Sequence, residues 1–203
     1  MLTRRAFFFL SAAAATLFAT QTPVSAQGVD ATTFIHDFGM RLIEVVNGDA
    51  PTAEKEQQLR PLIDHDVDVD AIARFCLGRF TKDATPQQLA EFTKLFHQVL
   101  VDNITSKIGE YRGVTMRMVT TSMRGGDAMV GTIVQRPNNA PNNVQWVVST
   151  ASGAPKIVDV VAEGTSLRLT QRSDYASYLS RNGNNVEALL AAMRKQLAAS
   201  QNS

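Results

Sequence analysis

The chain has one cysteine, Cys76, among its 203 residues. No disulfide can form within it, so a stable fold must rest on its core. Cys76 lies in the apolar stretch "IARFCLGRF", where a buried and inert thiol is expected. Histidine is scarce too: His36, His65 and His97 are the three, and all fall before the strand-like part of the chain. An excess of one charge is also absent, with 20 basic against 19 acidic residues. A chain this near neutrality has no electrostatic basis for gripping nucleic acid, and none is expected as a partner. There is no H-E-x-x-H, no C-x-x-C and no phosphate-cradling glycine loop. Catalytic zinc, dithiol redox chemistry and nucleotide hydrolysis therefore have no motif here, and no catalytic residue, metal or cofactor is expected.

No apolar run is long enough to span a bilayer, which takes about 20 residues. Residues 6–19 come nearest, and they follow Arg4 and Arg5. Val24, Ser25 and Ala26 then place small residues where a signal peptidase reads, so an export signal over residues 1–26, cleaved near Ala26, is expected. The order "TRRAFFF" fits a twin-arginine signal, and an ordinary Sec signal fits as well. An uncleaved anchor is the alternative, disfavoured by the cleavage site. Removal of 26 residues leaves 177, enough for one domain with a sizeable core, and takes the net charge from +1 to −1.

What remains changes character once. Residues 30–111 have helical periodicity: Phe34, Phe38, Leu42 and Val45 share one face, and Thr85-Pro86 opens the longest helix, with Phe92, Phe96 and Val99 on one stripe. Residues 114–162 alternate as strands, broken by Gly125-Gly126-Asp127, by "PNNAPNN" and by Ser152-Gly153. Short turns between four consecutive strands predict an antiparallel meander. The chain is helical again after Ser173, with Ser173 or Asp174 as the cap and Gly183 as a break. The expected class is α+β, in one domain over residues 27–203, with the helices covering one face of the sheet.

Three stretches invite a catalytic or metal reading. Gly164-Thr165-Ser166 has the look of a nucleophile elbow, but G-x-S-x-G needs a second glycine where Arg168 stands. A turn that carries the chain off the sheet is the better reading, with Ser166 making a local backbone bond. "DHDVDVD" alternates acids as a calcium loop does, yet Val69 and Phe75 occupy the positions that need Gly and Glu, so helix capping by Asp68 or Asp70 is preferred. Asp159 is expected to pair with Arg117 away from the core. Alternation places Met116, Met118, Val130, Val134, Trp146, Val148, Val158 and Val160 on the inner face, with no acid or base among them. Such an interior cannot run proton chemistry. Whether it is a solid core or an apolar cavity, pattern alone leaves open.

Two stretches carry a family resemblance. "FCLGRFTKDATPQQLAEFTKLFHQVLVDNI" (residues 75–104) pairs a short helix ending in Leu-Gly with Ala-Thr-Pro-x-Gln opening a long aromatic helix. "KIVDVVAEGTSLRLTQRSDYASYLSRNGNNVEALLAAM" (residues 156–193) has V-x-D-V, then E-G-x-S-L, then a Gly before a leucine-rich helix. In order and spacing these resemble the MlaC, or toluene-tolerance, family. The resemblance implies a soluble periplasmic phospholipid carrier, not an enzyme, whose lipid is cargo. It would shuttle between the lipid-binding subunit of an inner-membrane ABC transporter and an outer-membrane lipoprotein, within a lipid-asymmetry system. A branch tied to hopanoid synthesis makes a triterpenoid the alternative cargo, and a small cone-shaped hydrolase or isomerase is a second alternative. Tryptophans that the family often carries are absent near Thr81 and at Pro155. The implied cavity would be lined by the inner-face residues together with Phe75, Phe80, Phe92, Phe96, Val99, Leu167, Tyr175 and Leu179.

Overall fold

The computed structural model describes residues 24–200, with side chains from Asp30 onward. Arg4, Arg5 and residues 6–19 lie outside the described residues. Helix α1 is Val24–Asn47, α2 Thr52–Asp66, α3 Val69–Leu77 and α4 Pro86–Thr105. Strands β1 Thr115–Arg124, β2 Asp127–Gln135, β3 Asn142–Ser149 and β4 Lys156–Ala162 follow, then β5 Thr165–Ser166, and helices α5 Leu167–Arg181 and α6 Val186–Ser200. Among the described residues no helix is long and apolar enough to cross a membrane.

Local chemistry explains the helix starts. Thr85 Oγ1 accepts from the Gln88 backbone N–H while Gln88 returns a bond to the Thr85 N–H, a complete capping box with Pro86 behind it. Asp68, rather than Asp70, caps α3 by accepting from the Ala71 N–H at 3.0 Å. Helix α5 begins at Leu167, before the expected Ser173 or Asp174. Ser166 is its cap, accepting from the Leu169 N–H at 3.2 Å, and Gly164 at φ +79° turns the chain into it.

The sheet order is β1-β2-β3-β4-β5, antiparallel throughout. It has five strands rather than four, because Thr165 and Ser166 fold back onto Ala162 and Val161. Two bulges reset the alternation. One sits between Met118 and Thr120 and leaves Val119 exposed; the other sits between Val147 and Val148. The second changes which side chains face inward. Val148 pairs with Ile157 and Trp146 with Val160, so Ile157 and Val160 share the inner face. Val158 does not join them. It is buried at the bulge, and its carbonyl accepts from Arg168 Nη1.

Helix α1 lies across the inner face of β1 and β2, and α5 packs against β4. Most of the buried apolar residues fall in three clusters. One lies between α1 and the sheet, one lies among α3, α4, α5 and α6, and a small one around Val46, Leu59, Ile108 and Val114 closes the far end.

Candidate functional site

The sheet–α1 cluster brings Ala31, Ile35 and Phe38 of α1 onto Ala128, Val130, Val148 and Ile157. Met118, Met123, Trp146 and Val160 pack around them. Ala31, Ile35 and Phe38, spaced by four and three, form the buried stripe of α1, and Phe34 and Leu42 of the expected stripe pack beside them. Phe38 meets Trp146 edge to face, with ring centroids 5.7 Å apart. The polar feature of this face is a short chain: Trp146 Nε1 donates to Thr132 Oγ1 at 3.0 Å, and Thr132 donates to the Val144 carbonyl at 3.1 Å.

This face was expected to line a cavity; in the structure it is close-packed. Ile35 and Val130 are fully buried, and the Met116 side chain fills the space beside Gly39. Where the start of α1 meets two hairpins, at Asp30, Met123, Gly126, Val148, Thr150 and Pro155, a gap of about 30 Å³ remains. That is room for roughly one water, and far too little for an acyl chain.

The remaining expected lining residues lie elsewhere. Phe80, Phe92, Phe96, Val99, Tyr175 and Leu179 are buried in the helical cluster, and Phe75 packs against it. The Phe92 and Phe96 rings lie 6.0 Å apart and both meet Tyr175 edge-on. Burial pushes the Tyr175 phenol upward from its ordinary value. Arg168 and Arg172 stand over the Phe75 ring at 4.6 and 4.9 Å. Val134 belongs to the small third cluster. Leu167 is 51% exposed at the start of α5.

Asp159 pairs with Arg168, not with Arg117. Its carboxylate is buried and accepts from Ser166 Oγ, from the Val160 N–H and from the Arg168 N–H, with Arg168 Nε at 3.4 Å. Arg117 is exposed on the edge strand β1. The bond from Ser166 leaves its hydroxyl tied on both sides and unsuited to attack a substrate. Cys76 donates to the Arg168 carbonyl, and burial, reinforced by Asp159, pushes its thiol up to about 12. A thiol so protonated is a poor nucleophile.

Two open clefts complete the surface. One of about 540 Å³ is rimmed by Arg60, Asp64, Lys94, His97 and Lys156, and His97 Nε2 lies 2.7 Å from Asp64 Oδ1 across it. The other, about 510 Å³ between α5 and α6, is rimmed by Asp174, Tyr178, Arg181 and Gln196. Among the described residues no group of three His, Cys, Asp or Glu is placed to hold a metal ion.

Sequence reasoning missed Ile157, Ile35 and Thr132. The signal for Ile35 was present in its spacing from Ala31 and Phe38. Ile157 was hidden by the bulge, which has no sequence mark here.

The architecture has known counterparts. It matches a solved phospholipid-binding protein from Ralstonia solanacearum, determined in complex with a phospholipid, with a TM-score of 0.73 at 20% identity, over 84% of this chain and 98% of that one. The toluene tolerance protein ttg2D of Pseudomonas putida is 26% identical over 135 residues, which is 65% of this chain. That aligned region spans 62% of the relative's length. The family model described as "MlaC protein" matches residues 38–195, well over half of the chain. The chain belongs to the MlaC family.

Proposed function

We propose that this protein is a phospholipid carrier of the periplasm, and not an enzyme. The observation that carries the reading is the face beneath α1: a broad apolar surface in which Trp146 and Thr132 satisfy each other's polar atoms internally. An acyl chain laid there gains about 0.8 kcal/mol per buried CH₂ relative to water. Membrane and protein then offer nearly equal environments, which is what reversible loading requires. Methionines 116, 118 and 123 on β1 suit irregular chains, being unbranched and adaptable. Membership of the MlaC family and the phospholipid bound in the Ralstonia protein's structure support the same reading.

In this proposal the acyl chains meet Met116, Met118, Val130, Trp146, Val148 and Val160. The cluster around Phe92, Phe96 and Tyr175 is the supporting core. The chain would be exported and cut near Ala26, leaving residues 27–203 as the working domain. It would pass lipid between an inner-membrane ABC transporter and an outer-membrane lipoprotein. The test is organic extraction of protein purified from its native cells, followed by mass spectrometry. Diacyl phospholipid at near-stoichiometric amounts is the expected result. Triterpenoids instead would assign the protein to hopanoid traffic, and absence of any lipid would overturn the carrier reading.

A further inference from the structure

The carrier reading has a steric consequence: the proposed site is covered. The covering element, α1, is held in two different ways along its length. Its last two turns are pinned by polar bonds to α2 and to the segment that leads into β1. Arg41 pairs with the buried Asp66 of α2 at 2.9 Å. Lys55 donates to the Val46 carbonyl at 2.7 Å. Asn47 donates to the Val114 carbonyl and accepts from the Gly113 N–H, at 3.1 and 2.7 Å. The part before Gly39 is held differently: Ala31, Ile35 and Phe38 lie on the sheet by apolar contact. Among the described residues, the polar contact that joins it to β1 is between the hydroxyls of Thr32 and Thr121 at 2.6 Å.

Gly39 stands between these two halves. A β-carbon there would overlap the flexible end of the Met116 side chain, so Met116 occupies the space that a larger residue would take. Gly39 is also the weakest helix former on this stretch, and helices bend where glycine sits. The gap of about 30 Å³ lies beside Asp30 and Ala31 of the same half, and Ala128 and Val148 of the proposed site form part of its wall.

We propose, resting on the carrier reading, that residues 30–38 of α1 are a displaceable lid. It pivots at Gly39 on the pinned segment Arg41 to Asn47. Apolar cargo enters at the rim between Ala31 and the β1–β2 hairpin and takes the place of Ile35 and Phe38 on the sheet. The empty carrier closes this lid and hides the apolar face from water. The loaded carrier holds it raised.

The test uses the double variant Thr32→Cys, Thr121→Cys in the full chain. The two hydroxyl oxygens lie 2.6 Å apart, near the separation of about 2 Å that a disulfide needs. Cys76, 1% exposed, is left in place. Oxidised and reduced protein are incubated with phosphatidylethanolamine–phosphatidylglycerol vesicles containing a fluorescent phospholipid, separated from them, and assayed for lipid per protein. The oxidised form should load about tenfold less lipid or lower still, because apparent affinity scales with the population able to bind. Reduction should restore loading. Equal loading of both forms would overturn the lid while leaving the carrier reading intact; loading of neither would overturn both. Hydrogen exchange on the unmodified chain gives a second measurement. Bound lipid should raise exchange over residues 31–38 and leave residues 41–47 unchanged, and protection of residues 31–38 on loading would refute the lid.

Discussion

Ser166 Oγ donates to Asp159 Oδ2 at 2.5 Å, joining the strand β4 to the first turn of α5. The same hydroxyl caps Leu169, and the same carboxylate receives the Arg168 N–H. One serine and one buried acid thus set the angle at which the helical half leaves the sheet. Ser166→Ala removes the cap and one of Asp159's partners together. It should cost about 1–3 kcal/mol in urea unfolding. Ser166→Thr, which keeps the hydroxyl, should recover most of that. A Ser166→Ala variant as stable as the parent would mean that the junction is held by Arg168 alone.

Alkaline stability follows from two buried acids near that junction. Burial and Asp159 raise the Cys76 thiol from 9.0 to about 12, and burial raises the Tyr175 phenol from 10.0. Each folded group holds its proton more tightly than its unfolded counterpart. The stability this contributes is fully present below pH 9 and is lost as pH rises through about 12, where the unfolded state alone releases the proton. Melting temperature should fall progressively over that window. Cys76→Ala should flatten the fall between pH 9 and 12, at whatever cost to the neutral-pH melting point. An unchanged slope would show that the thiol is not a contributor.

Two arginines should differ sharply although both make ion pairs. Arg41 neutralises Asp66, whose side chain is 1% exposed, whereas Arg60 and its partner Glu56 are 43% and 40% exposed. Arg41 is itself 44% exposed and His65 Nδ1 stays 2.8 Å from Asp66, so removing Arg41 leaves the buried carboxylate one partner short, which costs about 1–3 kcal/mol. Removing Arg60 breaks a solvated helix pair worth about 0.3–0.5 kcal/mol. Denaturant melts of Arg41→Ala and Arg60→Ala should separate by several-fold. Equal effects would mean that water reaches Asp66.

The contrast between what could and could not be read beforehand has a physical basis. Thr85, Pro86 and Gln88 act within one turn of helix, and their pattern was legible because local bonds need no knowledge of the rest of the fold. The helix-to-sheet-to-helix order was equally open to periodicity. Asp159 is different. Its partner was expected at Arg117, away from the core, but strand pairing puts β1 three strands away from β4. Arg168 is near because α5 starts early, and α5 starts early because Ser166 is held by Asp159. Val158 and Ile157 exchange faces because of a bulge opposite Val147, which arises from packing between strands and leaves no pattern in either one. The closed state of the inner face is likewise beyond composition: the same Met, Trp and Val residues serve a filled core or an open cavity.

Val148→Trp tests that last distinction directly. Val148 is 2% exposed, sits opposite Ile157 and Ala128, and forms part of the small gap beneath the start of α1. With the lid closed there is no room for an indole, since the gap of about 30 Å³ is smaller than the volume added. The lipid-free variant should therefore lose about 1–3 kcal/mol by overpacking, read as a lower melting temperature. A raised lid relieves that strain, so the added ring would bias α1 outward while filling space that an acyl chain needs. Lipid carried per folded protein should fall, and exchange over residues 31–38 should rise even without lipid. A solid core would behave otherwise, with the melting temperature falling, lipid load per folded molecule unchanged, and α1 as protected as in the parent. That combination would place the cargo away from the sheet face.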